Sequence, residues 1–131
     1  MTPELKARVE NGGIPVKQKA KRLFIMHSSA WTPNDGRAVA DYTVHYADGT
    51  QETFGAHCVK HLRDWWTPTK PDSEDGHIAW IGKLAYEGWG AEVAMFLMAW
   101  NNPHPEKEID RITMAGHHPH YVLVAITGET P

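Results

Sequence analysis

The stretch A-D-Y-T-V-H-Y-A-D-G-T-Q-E-T, residues 40–53, decides the fold class of this chain. From Tyr42 to Tyr46, large apolar residues alternate with polar ones, which is the period-two pattern of a strand buried on one face. Asp48 and Gly49 follow, and such a pair readily supplies the positive φ angles of a type I′ turn. The alternation resumes over residues 50–54. We therefore predict an antiparallel β-hairpin.

Six more runs outside this hairpin have the length and composition of strands and are separated by loops rich in Gly, Pro and Asp. They are residues 14–16, 22–27, 77–81, 92–100, 109–114 and 121–127. Residues 22–27 are continuously apolar, which predicts a central strand buried on both faces. Residues 92–100 also permit a helix, but the short run and its abrupt N-N-P-H-P ending favour a strand. Residues 82–90 are predicted to be a Gly-rich loop.

Residues 56–66 are the one helical candidate, because Val59, Leu62 and Trp66 fall close to helical spacing and a proline follows. Residues 1–13 are expected to be a linker or a loosely attached segment, and residues 14–131 to be one domain. Many short strands with almost no helix predict an all-β protein, namely an antiparallel β-sandwich or jelly roll with one short helix.

Composition excludes several functional classes. A formal net charge of −3 provides no basic field for a nucleic-acid partner. The single cysteine, Cys58, cannot form an internal disulfide. The longest apolar run, residues 93–100, is too short to cross a membrane. Residues 1–21 contain no signal-peptide core, so we expect a cytoplasmic chain or one from which a leader or a larger parent protein has been removed.

Five segments of the chain share a further pattern: L-F-I-M-H-S-S-A-W (23–31), Y-T-V-H-Y-A-D-G-T (42–50), D-W-W (64–66), I-A-W-I-G (78–82) and W-N-N-P-H-P-E-K-E-I-D-R-I (100–112). Together they resemble a galactose-binding-domain-like β-sandwich, a module attached to bacterial glycoside hydrolases and related secreted proteins. The block N-P-H-P-E-K-E-I is the most specific part. The end of the chain, V-L-V-A-I-T-G-E, is similar to the last strand of the module. The resemblance covers residues 14–129.

This resemblance implies a jelly roll of two antiparallel sheets with a non-catalytic role as a carbohydrate-binding or accessory module. It also implies a polysaccharide or oligosaccharide as ligand and a glycoside hydrolase domain as partner. A structural calcium ion and an extracellular or periplasmic location are further expectations from the family. The acidic loop D-S-E-D at residues 72–75 could hold such a calcium ion through its oxygens or be a solvated turn.

Sugar recognition needs flat apolar faces for the pyranose ring and nearby polar groups for its hydroxyls. Loop aromatics flanked by polar residues meet this need, which predicts a set of ligand-binding residues: Trp31, Asn34, Asp35, Arg63, Asp64, Trp65, Tyr86 and Trp89. Trp31 and Trp89 could equally pack at a rim. Trp80 and Trp100 lie in strands and are expected in the core. Trp66 is expected to pack and its neighbour Trp65 to face outward.

Nine histidines raise the possibility of a copper or zinc site. His57 and His61 are four residues apart, so they would share one face of a helix. His117, His118 and His120 form a tight cluster in a loop. The alternative is a set of unrelated surface histidines, because the acidic residue of a metallohydrolase motif does not accompany either group.

Three functional hypotheses follow. The first is the non-catalytic carbohydrate-binding or accessory module. The second is a small histidine-ligated metalloenzyme on the same sandwich. The third is a structural interaction domain that forms a homodimer through an exposed edge strand. The sequence contains no nucleophile elbow and no phosphate-binding loop, so catalysis by those routes is not expected.

Overall fold

A computed structural model describes residues 12–86 and 89–131, with side chains given for all of these except residues 85–90. The described residues form eight strands and no helix. In chain order the strands are β1 Ile14–Gln18, β2 Arg22–Ser29, β3 Ala38–Tyr46, β4 Gln51–His57, β5 Gly76–Tyr86, β6 Trp89–Asn101, β7 Ile109–Gly116 and β8 Tyr121–Glu129. The expected linker at residues 1–13 lies, apart from its last two residues, outside the described range. Within that range, no helix long and apolar enough to span a membrane occurs.

The strands form two four-stranded antiparallel sheets that pack as a β-sandwich, which confirms the predicted fold class. Sheet one has the strand order β1-β7-β3-β4, and sheet two has the order β5-β6-β2-β8. The hairpin at residues 40–53 becomes β3 and β4, with Tyr42 opposite Phe54 and Val44 opposite Glu52. The remaining strand predictions are also confirmed, including residues 92–100 as part of β6.

The core lies between the two sheets and is built from the alternate residues of each strand. Among its large, fully buried side chains are Leu23 and Ile25 of β2, Tyr42 and Val44 of β3, Phe96 and Met98 of β6, and Ile109 and Ile112 of β7. Burial of each such side chain contributes about 1.5–3 kcal/mol to folding. The apolar residues of the period-two pattern in residues 40–46 therefore lie on the inner face of sheet one.

Strand β2 is central in sheet two, as predicted, but it is buried on one face only. Leu23, Ile25 and His27 are buried, whereas Phe24 and Met26 between them are half-buried. The prediction of burial on both faces is therefore wrong. Its physical reason is that no part of the described chain covers the outer face of sheet two.

The turn of the β3–β4 hairpin is not type I′. Only Gly49 has a positive φ, of 90°. Its amide donates to the Tyr46 carbonyl at 3.0 Å, and the Tyr46 amide donates to the Thr50 carbonyl at 2.9 Å. This is the pattern of a type I turn closed by a glycine bulge, which needs one positive φ rather than two. Asp48 contributes by accepting from the Thr50 amide at 3.0 Å.

Residues 56–66 do not form the predicted helix. Strand β4 continues to His57, and the chain then reverses through Val59, which has the unusual φ of 72°. Cys58 and Leu62 are bridge partners and are both fully buried. The apolar spacing that resembled a helix instead brings these two side chains to the core from either side of a tight turn.

Residues 82–86 and 89–90 belong to strands rather than to the predicted loop, because β5 extends to Tyr86 and β6 begins at Trp89. Gly82 is in the middle of a strand rather than at a turn. The indole of Trp80 lies so close over Gly82 that a Cβ there would collide with the ring. Glycine therefore marks close side-chain approach at this position, not a chain reversal.

A chain of hydrogen bonds crosses the core between the sheets. The Tyr42 and Tyr121 hydroxyls are 2.5 Å apart, and the Tyr121 hydroxyl is 2.7 Å from Nδ1 of His27. Nε2 of His27 lies 3.1 Å from the His61 carbonyl, which can only accept. Nε2 therefore carries the proton, Nδ1 accepts from Tyr121, and Tyr42 donates to Tyr121. Burial lowers the pKa of His27 to about 4.

The block N-N-P-H-P also has a structural role, through Asn102. Its amide nitrogen donates to the carbonyls of Ala20 at 2.7 Å and His104 at 3.2 Å. Its amide oxygen accepts from the Tyr46 hydroxyl at 2.5 Å and from the His104 amide at 3.0 Å. Asn102 thereby fastens the end of β6 to the entry of β2 and to β3.

Candidate functional site

The site begins where β2 and β6 separate at one end of sheet two. The chain at Asp64 and Trp65 fills the space between them. Ser29 and Asp64 form a parallel bridge, and the Trp65 amide donates to the Ser29 carbonyl at 2.8 Å. On the other side, the Ala94 amide donates to the Trp65 carbonyl at 2.8 Å. The backbone of Trp65 is thus held as an added piece of sheet.

The Asp64 carboxylate joins the two loops that carry the neighbouring tryptophans. Oδ2 accepts from the Thr32 amide at 3.1 Å, next to Trp31, and Oδ1 accepts from the Trp66 amide at 3.0 Å. Each carboxylate oxygen has two lone-pair sites, so each retains one for another donor. Asp64 therefore both fixes the loops and offers acceptor capacity beside their rings.

Two adjacent cavities lie at this end of the sandwich, and together we call them the tryptophan groove. The larger, of about 420 Å³, is lined by Ala30, Trp31, Asp64, Trp65 and Trp66. The smaller, of about 250 Å³, is lined by Ser28, Ser29, Ala30, Trp65, Met95, His120 and Val122. Ala30 and Trp65 are common to both. The groove is therefore mainly aromatic and apolar, with a few polar groups.

Trp31 is the most exposed of these rings, at 77%. Its backbone has a φ of 49°, in the left-handed region that a bulky residue seldom adopts. The indole lies 4.8 Å from the His120 ring, tilted by 52°. On the other wall, Trp65 and Trp66 have ring centroids 4.8 Å apart, and Trp66 is 47% exposed. Strained, exposed aromatic residues are typical of ligand-contacting positions.

The groove brings together three of the predicted ligand-binding residues, Trp31, Asp64 and Trp65. It also contains Trp66, Met95 and Val122, which the sequence did not indicate as ligand contacts. Trp65 is half-buried and Trp66 exposed, so their predicted orientations were reversed. That prediction assumed a helix, and the two residues instead lie in a turn.

Trp80 and Trp100, the two strand tryptophans that were predicted to be in the core, differ in their burial. Trp100 is partly buried and stacks on Phe54 with centroids 4.6 Å apart, as expected for a core residue. Trp80 is 53% exposed, so its placement in the core was wrong. The register of β5 against β6 shifts between Ile78 and Trp80, and this bulge turns the indole to the outer face.

Asn34, Asp35 and Arg63 do not line either cavity. Asp35 pairs with Arg37, with Oδ2 2.5 Å from the guanidinium, and hydrogen bonds from Arg37 lower the pKa of Asp35 to about 2. Arg63 pairs instead with Asp72, at 2.7 Å. The side chains of Tyr86 and Trp89 lie outside the described part of the structure.

Four of the five predicted metal ligands are engaged in side-chain hydrogen bonds within the protein, and the ring of the fifth, His120, packs beside those of Trp31 and His118. Nδ1 of His61 accepts from the His57 amide at 3.0 Å, while Nδ1 of His57 lies 3.0 Å from the Gly36 carbonyl. Nε2 of His117 is 2.6 Å from Asp41, and Nε2 of His118 is 2.7 Å from the Ala30 carbonyl. Burial lowers the pKa of His61. Across the described residues, no group of three or more His, Cys, Asp or Glu side chains is arranged to hold a metal ion.

The acidic loop at residues 72–75 is accompanied by cationic groups. Asp72 is the carboxylate that pairs with Arg63. The Lys70 ammonium lies 3.2 Å from the carbonyls of Pro71 and Ser73. The Asp72 carboxylate and the Ser73 carbonyl, two of the oxygens in the predicted calcium loop, are therefore in contact with positive charge.

Comparison of the chain with protein-family models, with curated proteins and with solved structures finds no match.

Proposed function

We propose that the protein is a non-catalytic module that binds a polysaccharide or oligosaccharide in the tryptophan groove. The observation that carries this proposal is the convergence of Trp31, Trp65 and Trp66 around one cavity whose wall also carries the Asp64 carboxylate. The resemblance to galactose-binding-like modules supports the same ligand class. It also supports an accessory role beside a glycoside hydrolase domain outside the cell or in the periplasm.

The chemistry of the groove suits a sugar. Indole faces offer flat apolar surface to the C–H face of a pyranose, and the geometry of stacked aromatics tolerates several sugar orientations. The free lone pairs of Asp64 can accept from hydroxyl groups, and the His120 imidazole beside Trp31 supplies a further polar contact. Few polar groups within a mainly aromatic wall are usual for small-ligand sites.

The division of the groove supports a ligand longer than one sugar unit. Trp65 and Ala30 line both cavities, so an extended chain would pass over Trp65 from one to the other. The smaller cavity is walled by Met95 and Val122 and provides apolar contact without many hydroxyl partners. We therefore expect affinity to rise from a monosaccharide to short oligosaccharides.

Isothermal titration across a panel of plant and algal oligosaccharides and polysaccharides tests the proposal. For the best oligosaccharide, Trp31→Ala and Trp66→Ala should each weaken binding about tenfold, since the buried apolar area of an indole face and the further ~0.5–1.5 kcal/mol of an aromatic contact together reach the ~1.4 kcal/mol of a tenfold change. Trp80→Ala is the matched control, because Trp80 is exposed but lines neither cavity. Absence of heat with every sugar, or equal weakening by all three variants, would contradict the proposal.

A further inference from the structure

The outer face of sheet two is apolar, although it is exposed to solvent. Register identifies its members, because directly opposed residues on antiparallel strands point to the same side. Met26 is opposite Leu97, and Trp80 is opposite Met95. The large apolar residues of this surface, which we call the apolar face, are Phe24, Met26, Trp80, Met95, Leu97, Val122 and Val124. Val122 and Val124 are 51% and 48% exposed.

Sheet one provides an internal comparison. On its outer face Thr43 is opposite Thr53 and Thr113, and His45 is opposite Arg111. Antiparallel sheets with one free face normally alternate apolar inside and polar outside in this way. Sheet two departs from that pattern, because large apolar residues outnumber the polar ones, Ser28, His77 and Thr127, that register places on the same face. Exposed apolar patches of this kind mark interaction sites.

The face is also smooth and has its charges at the margin. The Trp80 indole lies over Gly82 rather than standing away from the sheet. At one end, Arg22 pairs with Glu129 and its guanidinium lies 5.2 Å from the Phe24 ring centroid. An apolar centre with a polar margin is the usual anatomy of a protein interface.

We propose that a second copy of this chain packs on the apolar face, so that two sandwiches associate face to face through sheet two. A two-fold interface places the same patch on both partners, and this patch has an uncharged centre that meets its own copy without like-charge repulsion. At the margin, the Arg22–Glu129 pair carries both signs of charge, so this end of the patch presents no single-sign field that would oppose association. The apolar face shares Met95 and Val122 with the smaller cavity of the tryptophan groove, so a dimer formed through this face would close that cavity to a ligand.

The size of the face agrees with a dimer interface. Four strands ~4.8 Å apart, each contributing about five residues, give a flat footprint of about 320 Å². Two facing footprints total about 640 Å², which the relief of the side chains enlarges, so the contact belongs to the weak class of interfaces rather than to the larger, stable ones. We therefore expect a reversible dimer rather than an obligate one.

Sedimentation velocity of the full chain over a wide range of concentrations tests the proposal. Wild-type protein should show a reversible monomer–dimer equilibrium. Val124→Glu should weaken the dimer at least tenfold, because it places two buried carboxylates in one interface. Thr53→Glu, an exposed change on the outer face of sheet one, is the control and should leave the equilibrium unchanged. Neither residue lines the tryptophan groove.

Thermal unfolding of each variant verifies that it is folded, and Trp80→Glu provides a second probe if Val124→Glu is not. A chain that is monomeric at every concentration would overturn the proposal. A dimer that withstands both substitutions would also overturn it, because the contact would then involve a strand edge or another surface.

Discussion

The hydroxyl oxygens of Tyr42 and Tyr121 lie 2.5 Å apart inside the sandwich and join its two sheets by a polar contact. Tyr42 belongs to β3 of sheet one and Tyr121 to β8 of sheet two. Tyr121 passes the connection on to His27, whose other ring nitrogen donates to the His61 carbonyl. Burial raises the pKa of both tyrosines, so the phenols stay protonated and the direction of donation is fixed.

We expect Tyr121→Phe to destabilise the fold more than Tyr42→Phe. Loss of the Tyr121 hydroxyl leaves Nδ1 of His27 and the Tyr42 hydroxyl without their partner, at a cost of about 1–3 kcal/mol for an unsatisfied buried group. Tyr42→Phe removes one donor and leaves the Tyr121–His27 bond intact, at a cost of about 1 kcal/mol. Urea unfolding of the two variants measures the difference. Equal losses would contradict the proposed direction of the network.

Stability should fall as the pH is lowered from about 6.5 to about 4, because burial lowers the pKa of His27 from 6.5 to about 4. In this window the unfolded chain binds a proton that the folded chain does not, so acid favours unfolding. The shift corresponds to about 3 kcal/mol over the whole window. Above the window the contribution is fully present, and the half-buried His61 acts in the same direction.

His27→Gln is the matched variant for this pH dependence, since glutamine can still accept from Tyr121 and donate to a carbonyl. Its urea-unfolding free energy should change less with pH over the same range. If wild type and His27→Gln show the same slope, His27 is not the group responsible.

Trp31→Gly should give a more stable protein than Trp31→Ala, although both remove the ring. The φ of 49° strains any residue with a Cβ but not glycine. We expect a difference of about 1 kcal/mol in the free energy of unfolding. Both variants should lose oligosaccharide affinity alike. An alanine variant as stable as the glycine variant would show that the position is not strained.

Asn102→Asp should cost about 2–3 kcal/mol, whereas Asn101→Asp should change stability by no more than about 0.5 kcal/mol. In the first case a carboxylate replaces an amide that donates to the carbonyls of Ala20 and His104. Asn101 is exposed and provides the same chemical change one residue away. Thermal unfolding of both variants provides the measurement, and similar melting temperatures would refute this role of Asn102.

The sequence predicted the strands well, because period-two alternation directly reflects the inner faces of the sheets. It failed where long-range contacts decide the conformation. The apolar spacing of Cys58 and Leu62 fits a helix equally well, and only their bridge across Val59 excludes it. Gly82 resembles a turn signal until the Trp80 ring is placed above it.

The groove was predictable only in part, for a similar reason. Loop aromatics beside polar residues identified Trp31, Asp64 and Trp65, but the sequence did not show that residue 31 meets residues 64 and 65, more than thirty positions away, at one cavity. Trp66 was assigned to packing because a helix was assumed for residues 56–66. Met95 and Val122 gave no signal, since an apolar residue in a strand does not reveal which face of the sheet it occupies.

The bridge of Asp64 and Trp65 to the strands divides the groove into a fixed and an adjustable part. The backbone of Trp65 is hydrogen-bonded to both β2 and β6, so its position can shift only if sheet two itself rearranges. Trp31 and Trp66 lie in surface turns on either side of Trp65, where insertions and substitutions are tolerated more readily. Related proteins could therefore change their ligand selectivity through substitutions in these two turns, while the position of Trp65 between them stays the same.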